Sequence, residues 1–252
     1  MMQSIRERAA AGLPSYGITI SLMEPTMIEM AHYAGYDFVR IDCEHILYDH
    51  SVLVNMLRTA RLLGMPCQVR VEGLSRVTAL LSLEASAIMM PHIENREMAM
   101  DAVNMVKYAP IGERGMDAGA RLIRYGGMKR DEYIRRANSV TDLIVQIESK
   151  KGIEHIDEIL ALEGVDMVAT GKADLSQSLG VPGQKNHPDV LKAEAFIIKK
   201  ALEYGKYPTL AADNRERVEE LMDMGVRCFL IGKDEPLAYK AIESKLKQIK
   251  TD

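Results

Sequence analysis

The sequence predicts an α/β fold of the (β/α)8 kind, a TIM barrel, on three grounds. Eight apolar runs of strand length alternate with segments of helical period. No linker, low-complexity tract or shift of composition divides the 252 residues, a length that one barrel domain uses in full, so a single domain over residues 1–252 is expected. No Gly-x-Gly-x-x-Gly follows the first strand, as an open sheet binding a dinucleotide would require.

The elements follow in order. Residues 16–21 read as the first strand and 25–33 as an amphipathic helix stopped by Gly35. The second strand, 38–42, is apolar until it ends in Asp42, Glu44 and His45, and helix 51–63 after it stops at Gly64. Strand 67–71 contains Arg70 and leads to helix 76–83; strand 87–93 leads to helix 96–107. A turn-rich stretch, 110–127, carries Gly112, Gly115, Gly119, Gly126 and Gly127 before a short helix at 131–137, and loops of that length are usually functional. The last four strands are expected at 143–148, 167–171, 207–212 and 228–232, with helices at 153–160, 188–204, 215–224 and 237–249; residues between 171 and 188 read as loop.

Composition excludes several function classes. Hydrophobic residues make up 47% and charged residues 27%, enough to bury a full core. A net charge of −4 without a basic stripe argues against nucleic-acid binding. Three scattered cysteines, Cys43, Cys67 and Cys228, suggest neither a disulfide framework nor a zinc site and fit a reducing, cytoplasmic setting. No apolar targeting segment and no 18-residue apolar run occur, so neither export nor a membrane span is expected. The 17 methionines mostly stand among Leu and Ile at helical spacing, where they read as core filler.

In a barrel the active site opens at the C-terminal ends of the strands, and the polar residues there form a short list: Asp42, Glu44, His45, Arg70, Gln146, Glu148 and Asp174. Glu148 and Asp174 follow adjacent strands, the placing that a hard divalent cation such as Mg2+ or Mn2+ needs. The plainer alternatives are that Glu148 caps the helix near Lys150 and Asp174 caps the one near Leu175. His45 is a natural proton shuttle with Asp42 close enough in sequence to orient it, although a histidine after a strand is often merely solvated. Arg70 suits a keto or developing enolate oxygen, or else an ion pair with Glu44 or Glu72. The other histidines carry less; His92 ends the fourth strand with no partner that the sequence names.

Ile41-Asp42-Cys43-Glu44-His45, Gln68-Val69-Arg70, Gly112-Glu113-Arg114-Gly115, Val145-Gln146-Ile147-Glu148 and Gly171-Lys172-Ala173-Asp174-Leu175-Ser176 resemble, in the same order, the motifs of the HpcH/HpaI aldolases, from about Tyr16 to the C-terminus. The resemblance implies a metal-dependent (class II) pyruvate aldolase that cleaves 4-hydroxy-2-oxo acids reversibly into pyruvate and an aldehyde. It implies Glu148 and Asp174 as ligands of Mg2+, Mn2+ or Co2+, Arg70 on the pyruvate oxygen, and His45 with Asp42 in proton transfer. Gln146 would line the site, and the backbone of Gly171, Lys172, Ala173 and Asp174 would hold the pyruvate carboxylate. A homo-oligomer is also implied, a hexamer built as a trimer of dimers that exchange their last helix.

Two departures matter. Lys172 stands where the family usually has proline, which raises a Schiff-base lysine as a rival, although the metal carboxylates are kept and the lysine could equally reach solvent. Met116-Asp117 replaces the usual Val-Gly beside the expected aldehyde pocket, so the acceptor is open. Decarboxylation of oxaloacetate, as in macrophomate-synthase-like relatives, needs the same enolate and is an alternative reaction. A catalytically silent oxo-acid binder is an alternative of another class.

Overall fold

The computed structural model describes residues 4–116 and 122–250. Asp117 and Gly119 of the turn-rich stretch lie outside them. Eight parallel strands close into a barrel in sequence order: β1 (Ser15–Ile20), β2 (Phe38–Asp42), β3 (Cys67–Arg70), β4 (Ala87–Met90), β5 (Asp142–Gln146), β6 (Met167–Ala169), β7 (Tyr207–Ala211) and β8 (Cys228–Lys233). The helices are α1 (Ile5–Ala10), α2 (Thr26–Tyr33), α3 (His50–Leu62), α4 (Val77–Ser82), α5 (Arg96–Val106), α6 (Arg130–Val140), α7 (Lys150–Glu154), α8 (Ile156–Leu160), α9 (Lys172–Ser178), α10 (Pro188–Glu203), α11 (Arg215–Asp223) and α12 (Asp234–Ile249). Among the described residues no helix is long and apolar enough to cross a membrane.

Side chains alternate between the two faces of each strand. Val39, Ile41, Val69, Ile88, Val145 and Val168 face outward into the core shared with the helices. Phe38, Met89, Ile144, Met167 and Cys228 point inward and plug the lower barrel, where Ile5 of α1 closes it. Gly17 is obligatory in that plug, because a Cβ there would fall within the ring of Phe38. Above the plug Arg40 lies across the barrel, donating to Gln68 Oε1 at 3.1 and 2.8 Å and to Thr209 Oγ1 at 3.2 Å. Burial, the largest influence, pulls its pKa down to about 9. The register that pairs Arg40 with Gln68 pairs Asp42 with Arg70 one layer higher, at the mouth.

The alternation is as expected and several boundaries differ. β4 ends at Met90 because Pro91 has no N–H for the ladder. The helix expected at 153–160 is two helices meeting at His155. Helix α1 is too short for a periodic signal, and α9 occupies part of the stretch read as loop; neither was expected. α12 begins at Asp234 rather than 237. The buried Asp234 carboxylate accepts from Ser21 N and Oγ at 2.9 and 2.6 Å and from Leu22 N at 2.9 Å, joining the ends of β8 and β1.

Candidate active site

Arg70 is the centre of the mouth. Its Nε and Nη2 donate to the two oxygens of Asp42 at 2.9 and 2.6 Å, a bidentate pair set by the β2–β3 register, and its Nη1 lies 2.9 Å from Glu44 Oε2. Burial opposes ionisation of Asp42, yet Arg70's hydrogen bonds and charge, helped by His45, outweigh it and hold the carboxyl below its usual range. Burial likewise works against the charge on Arg70, and Asp42, Glu44 and Glu148 more than restore it. The guanidinium is therefore a fixed cation.

His45 is 62% exposed at this cluster. The pairing expected with Asp42 is present only as a 3.6 Å contact; Arg70 Nη2, which can only donate, lies 2.9 Å from His45 Nδ1. Nδ1 thus accepts and Nε2 is left for chemistry. Asp42, Glu44 and His45 bring ligand atoms within 4.8 Å of one another, but Arg70 already supplies positive charge to both carboxylates.

Across the mouth Glu148, just past β5, is only 2% exposed and accepts from Gln146 Nε2 through Oε2 and from the His92 N–H at 3.0 Å through Oε1. Burial is the main reason its pKa is raised; the His92 and Gln146 bonds oppose the rise, and Asp174 adds to it. Two carboxylates this close, one of them buried, form a donor set that a hard cation would fit. Gly171 leaves room for one: a Cβ there would lie 2.5 Å from Glu148 Oε2 and 3.6 Å from Asp174 Oδ2. Gly171 is also the N-cap of α9 and offers no side chain to its first turn, where Ala173 and Asp174 are exposed. Lys172 turns away, its Nζ 3.9 Å from the buried Glu194 of α10, which Arg217 of α11 also contacts.

The sequence named no partner for His92, and the structure supplies two. Nε2 lies 2.9 Å from Glu44 Oε1 and Nδ1 lies 3.0 Å from Glu148 Oε1, so this residue links the Arg70 cluster to the carboxylate pair. A signal was available: Met90-Pro91-His92 puts a histidine directly after a strand that proline must end. The cysteines take no part. Burial raises the Cys43 and Cys228 thiols to about 12, and Cys67 is buried as well.

A closed barrel whose charged and proton-carrying side chains converge at the C-terminal end of its strands is a barrel enzyme. The HpcH/HpaI aldolase/citrate lyase family model matches residues 16–241, and the chain belongs to that family. It is similar to a 2-keto-3-deoxy-L-rhamnonate aldolase of Klebsiella pneumoniae subsp. pneumoniae, 32% identical over 96% of this chain and 91% of that protein. Among solved structures it resembles the HpcH/HpaI aldolase from Desulfitobacterium hafniense DCB-2, with TM-score 0.92, 27% identity and coverage of 99% and 97% of the two chains. It also resembles the citrate synthase SbnG, with TM-score 0.88, 30% identity and coverage of 97% and 96%. The protein is an aldolase of this family, a carbon–carbon lyase.

Proposed function

We propose that the protein is a metal-dependent pyruvate aldolase that cleaves 4-hydroxy-2-oxo acids to pyruvate and an aldehyde, reversibly, with a 2-oxo-3-deoxy sugar acid as the substrate class. The observation that carries this is the convergence of Glu148, Asp174 and Gln146 around the space that Gly171 leaves open, with Arg70 and His45 joined to Glu148 through Glu44 and His92. The relatives' names support the substrate class.

Glu148 and Asp174 would hold the divalent cation, Mg2+, Mn2+ or Co2+, since two carboxylates with open positions suit a hard ion. When bound, that ion supplies positive charge against the enolate left on pyruvate as the C3–C4 bond breaks. Arg70, fixed by Asp42 and Glu44, adds a preorganised contact to the keto oxygen. His45 moves a proton at Nε2, its Nδ1 being engaged by Arg70. Gln146 keeps Glu148 in place, and the first-turn N–H groups from Gly171 to Asp174 receive the carboxylate. A Schiff base at Lys172 is disfavoured by its ammonium's facing Glu194 in the ring of helices.

Tyr239, Ile242, Leu246 and Ile249 form an exposed apolar stripe along α12, which supports a homo-oligomer in which this helix packs on a neighbouring copy, as in a hexamer built as a trimer of dimers. Three buried free cysteines fit a cytoplasmic setting.

Exchange of pyruvate methyl protons with deuterated solvent tests the reaction. Exchange should depend on the metal and stop with EDTA. Exchange that survives EDTA, with borohydride trapping at Lys172, would replace this reading with the Schiff base; no exchange under any condition would end it.

A further inference from the structure

Arg40 is a cation enclosed in the barrel with only neutral partners. It is 7% exposed, and it donates to the Gln68 amide oxygen and to the Thr209 hydroxyl, which in turn meets the Cys228 thiol at 3.1 Å. Burial raises that thiol's pKa to about 12, so the thiol stays neutral, and lowers that of Arg40 only to about 9, so the guanidinium stays charged at neutral pH. Asp42, the carboxylate whose charge reaches Arg40, is bound through both oxygens by Arg70. A buried charge is costly without an opposite one; Arg6 and Lys107, at the other end of the barrel, each have a carboxylate where Arg40 has none among the described residues.

Donors are also in surplus around it. Among the described residues Arg40 Nη1 meets no acceptor, and Nε2 of Gln68, a residue 1% exposed, is buried with none either. The two groups are neighbours, since the β2–β3 register sets Arg40 beside Gln68 and the amide oxygen lies against the guanidinium. On the other side of Gln68 the register places Ala87, whose methyl group can neither accept a hydrogen bond nor fill the room a longer side chain would take. We propose that the barrel interior, one layer beneath the mouth, binds a small singly charged anion of the halide class between Arg40 Nη1 and Gln68 Nε2. A water molecule there would satisfy the donors and leave the charge unmatched; an anion answers both. Depth sets its size, because the layer lies between the Phe38 plug and the Asp42–Arg70 pair and suits a compact ion rather than a phosphate or a substrate's carboxylate. The site is independent of any cation at the mouth. By matching the charge of Arg40, its anion leaves Asp42 to Arg70 alone.

Bromide, which scatters anomalously, tests this on the unaltered protein. Crystals soaked in sodium bromide should show an anomalous peak in contact with both nitrogens. In solution the melting temperature should rise by about 2–4 °C when chloride or bromide replaces gluconate at constant ionic strength. Arg40→Met should remove that halide dependence, whatever its own stability, and Gln68→Leu serves in its place if Arg40→Met does not fold. No anomalous peak at these nitrogens overturns the proposal. So does a peak without any halide dependence of melting, which marks an adventitious ion only. A halide dependence that the variant retains also overturns it, because the ions then act elsewhere on the protein.

Discussion

At each end of the barrel one arginine lies between two carboxylates: Arg70 between Asp42 and Glu44 at the C-terminal mouth, Arg6 between Asp142 and Asp166 at the N-terminal end. The surroundings differ. Below, Lys107 is 1% exposed, 2.6 Å from both Asp166 Oδ2 and the Thr141 carbonyl, and α1 covers the cluster, so charge is matched by charge inside the fold. Above, two exposed histidines border the network, and Gly171 leaves open space beside Glu148 and Asp174. Ion pairs of the same kind therefore sit in different company: a buried lysine completes the lower one, while open space and exposed histidines adjoin the upper one.

The largest expected effect separates the ends outright. Glu148→Gln should lower turnover by about 10³-fold, the upper range for losing one electrostatic contact, while shifting stability by less than about 1 kcal/mol. Burial already disfavours the charge that this change removes. Turnover within about tenfold of the wild type would place the chemistry elsewhere. Lys107→Met should do the reverse, costing about 3–5 kcal/mol in denaturant unfolding, since Asp166 would lose a buried partner, with kcat per folded molecule unchanged.

The same small substitution at two interior glycines sharpens the contrast. Gly17→Ala drives a methyl into Phe38 and should cost about 1–3 kcal/mol of stability with normal metal binding. Gly171→Ala should instead displace the Glu148 carboxylate and weaken Mn2+ binding by about tenfold, with little change in melting temperature. If both variants lose only stability, Gly171 is no more than a packing position.

The smallest effects are in the pH dependence, where the ends have opposite signs. The Asp42 carboxyl is held below its ordinary 3.8, so its contribution is present above that pH and is lost as pH falls through the lower folded value. Burial, reinforced by Asp166, raises Asp142 from 3.8 to about 7. The folded state then holds the extra proton, and stability from this group declines as pH rises from about 4 to about 7. Unfolding curves of Asp142→Asn should lose that decline, and those of Asp42→Asn should lose the acid-side drop. Unchanged slopes in both would show that other groups set the profile.

Much of this was legible in the sequence because it depends on local pattern. Strand period, glycine stops and the alternation of elements set the barrel, and the barrel rule then points to Asp42, Arg70, Glu148 and Asp174 without coordinates. Helix α9 escaped because seven residues after a glycine carry too little period to separate from a loop. Whom a side chain touches was legible only in part: the Arg70 pair with Glu44 was one of the readings, and other partners were not. Asp42 belongs to Arg70 because the β2–β3 register sets them side by side, whereas three residues of sequence suggested His45. His92 reaches Glu44 and Glu148 from a third strand through a backbone turn that no composition announces. The sequence by itself determined the architecture and the kinds of group at its mouth, since periodicity and residue chemistry are local. Only the closed barrel decided the partnerships, because it sets strands far apart in the chain within 3 Å of one another's charges.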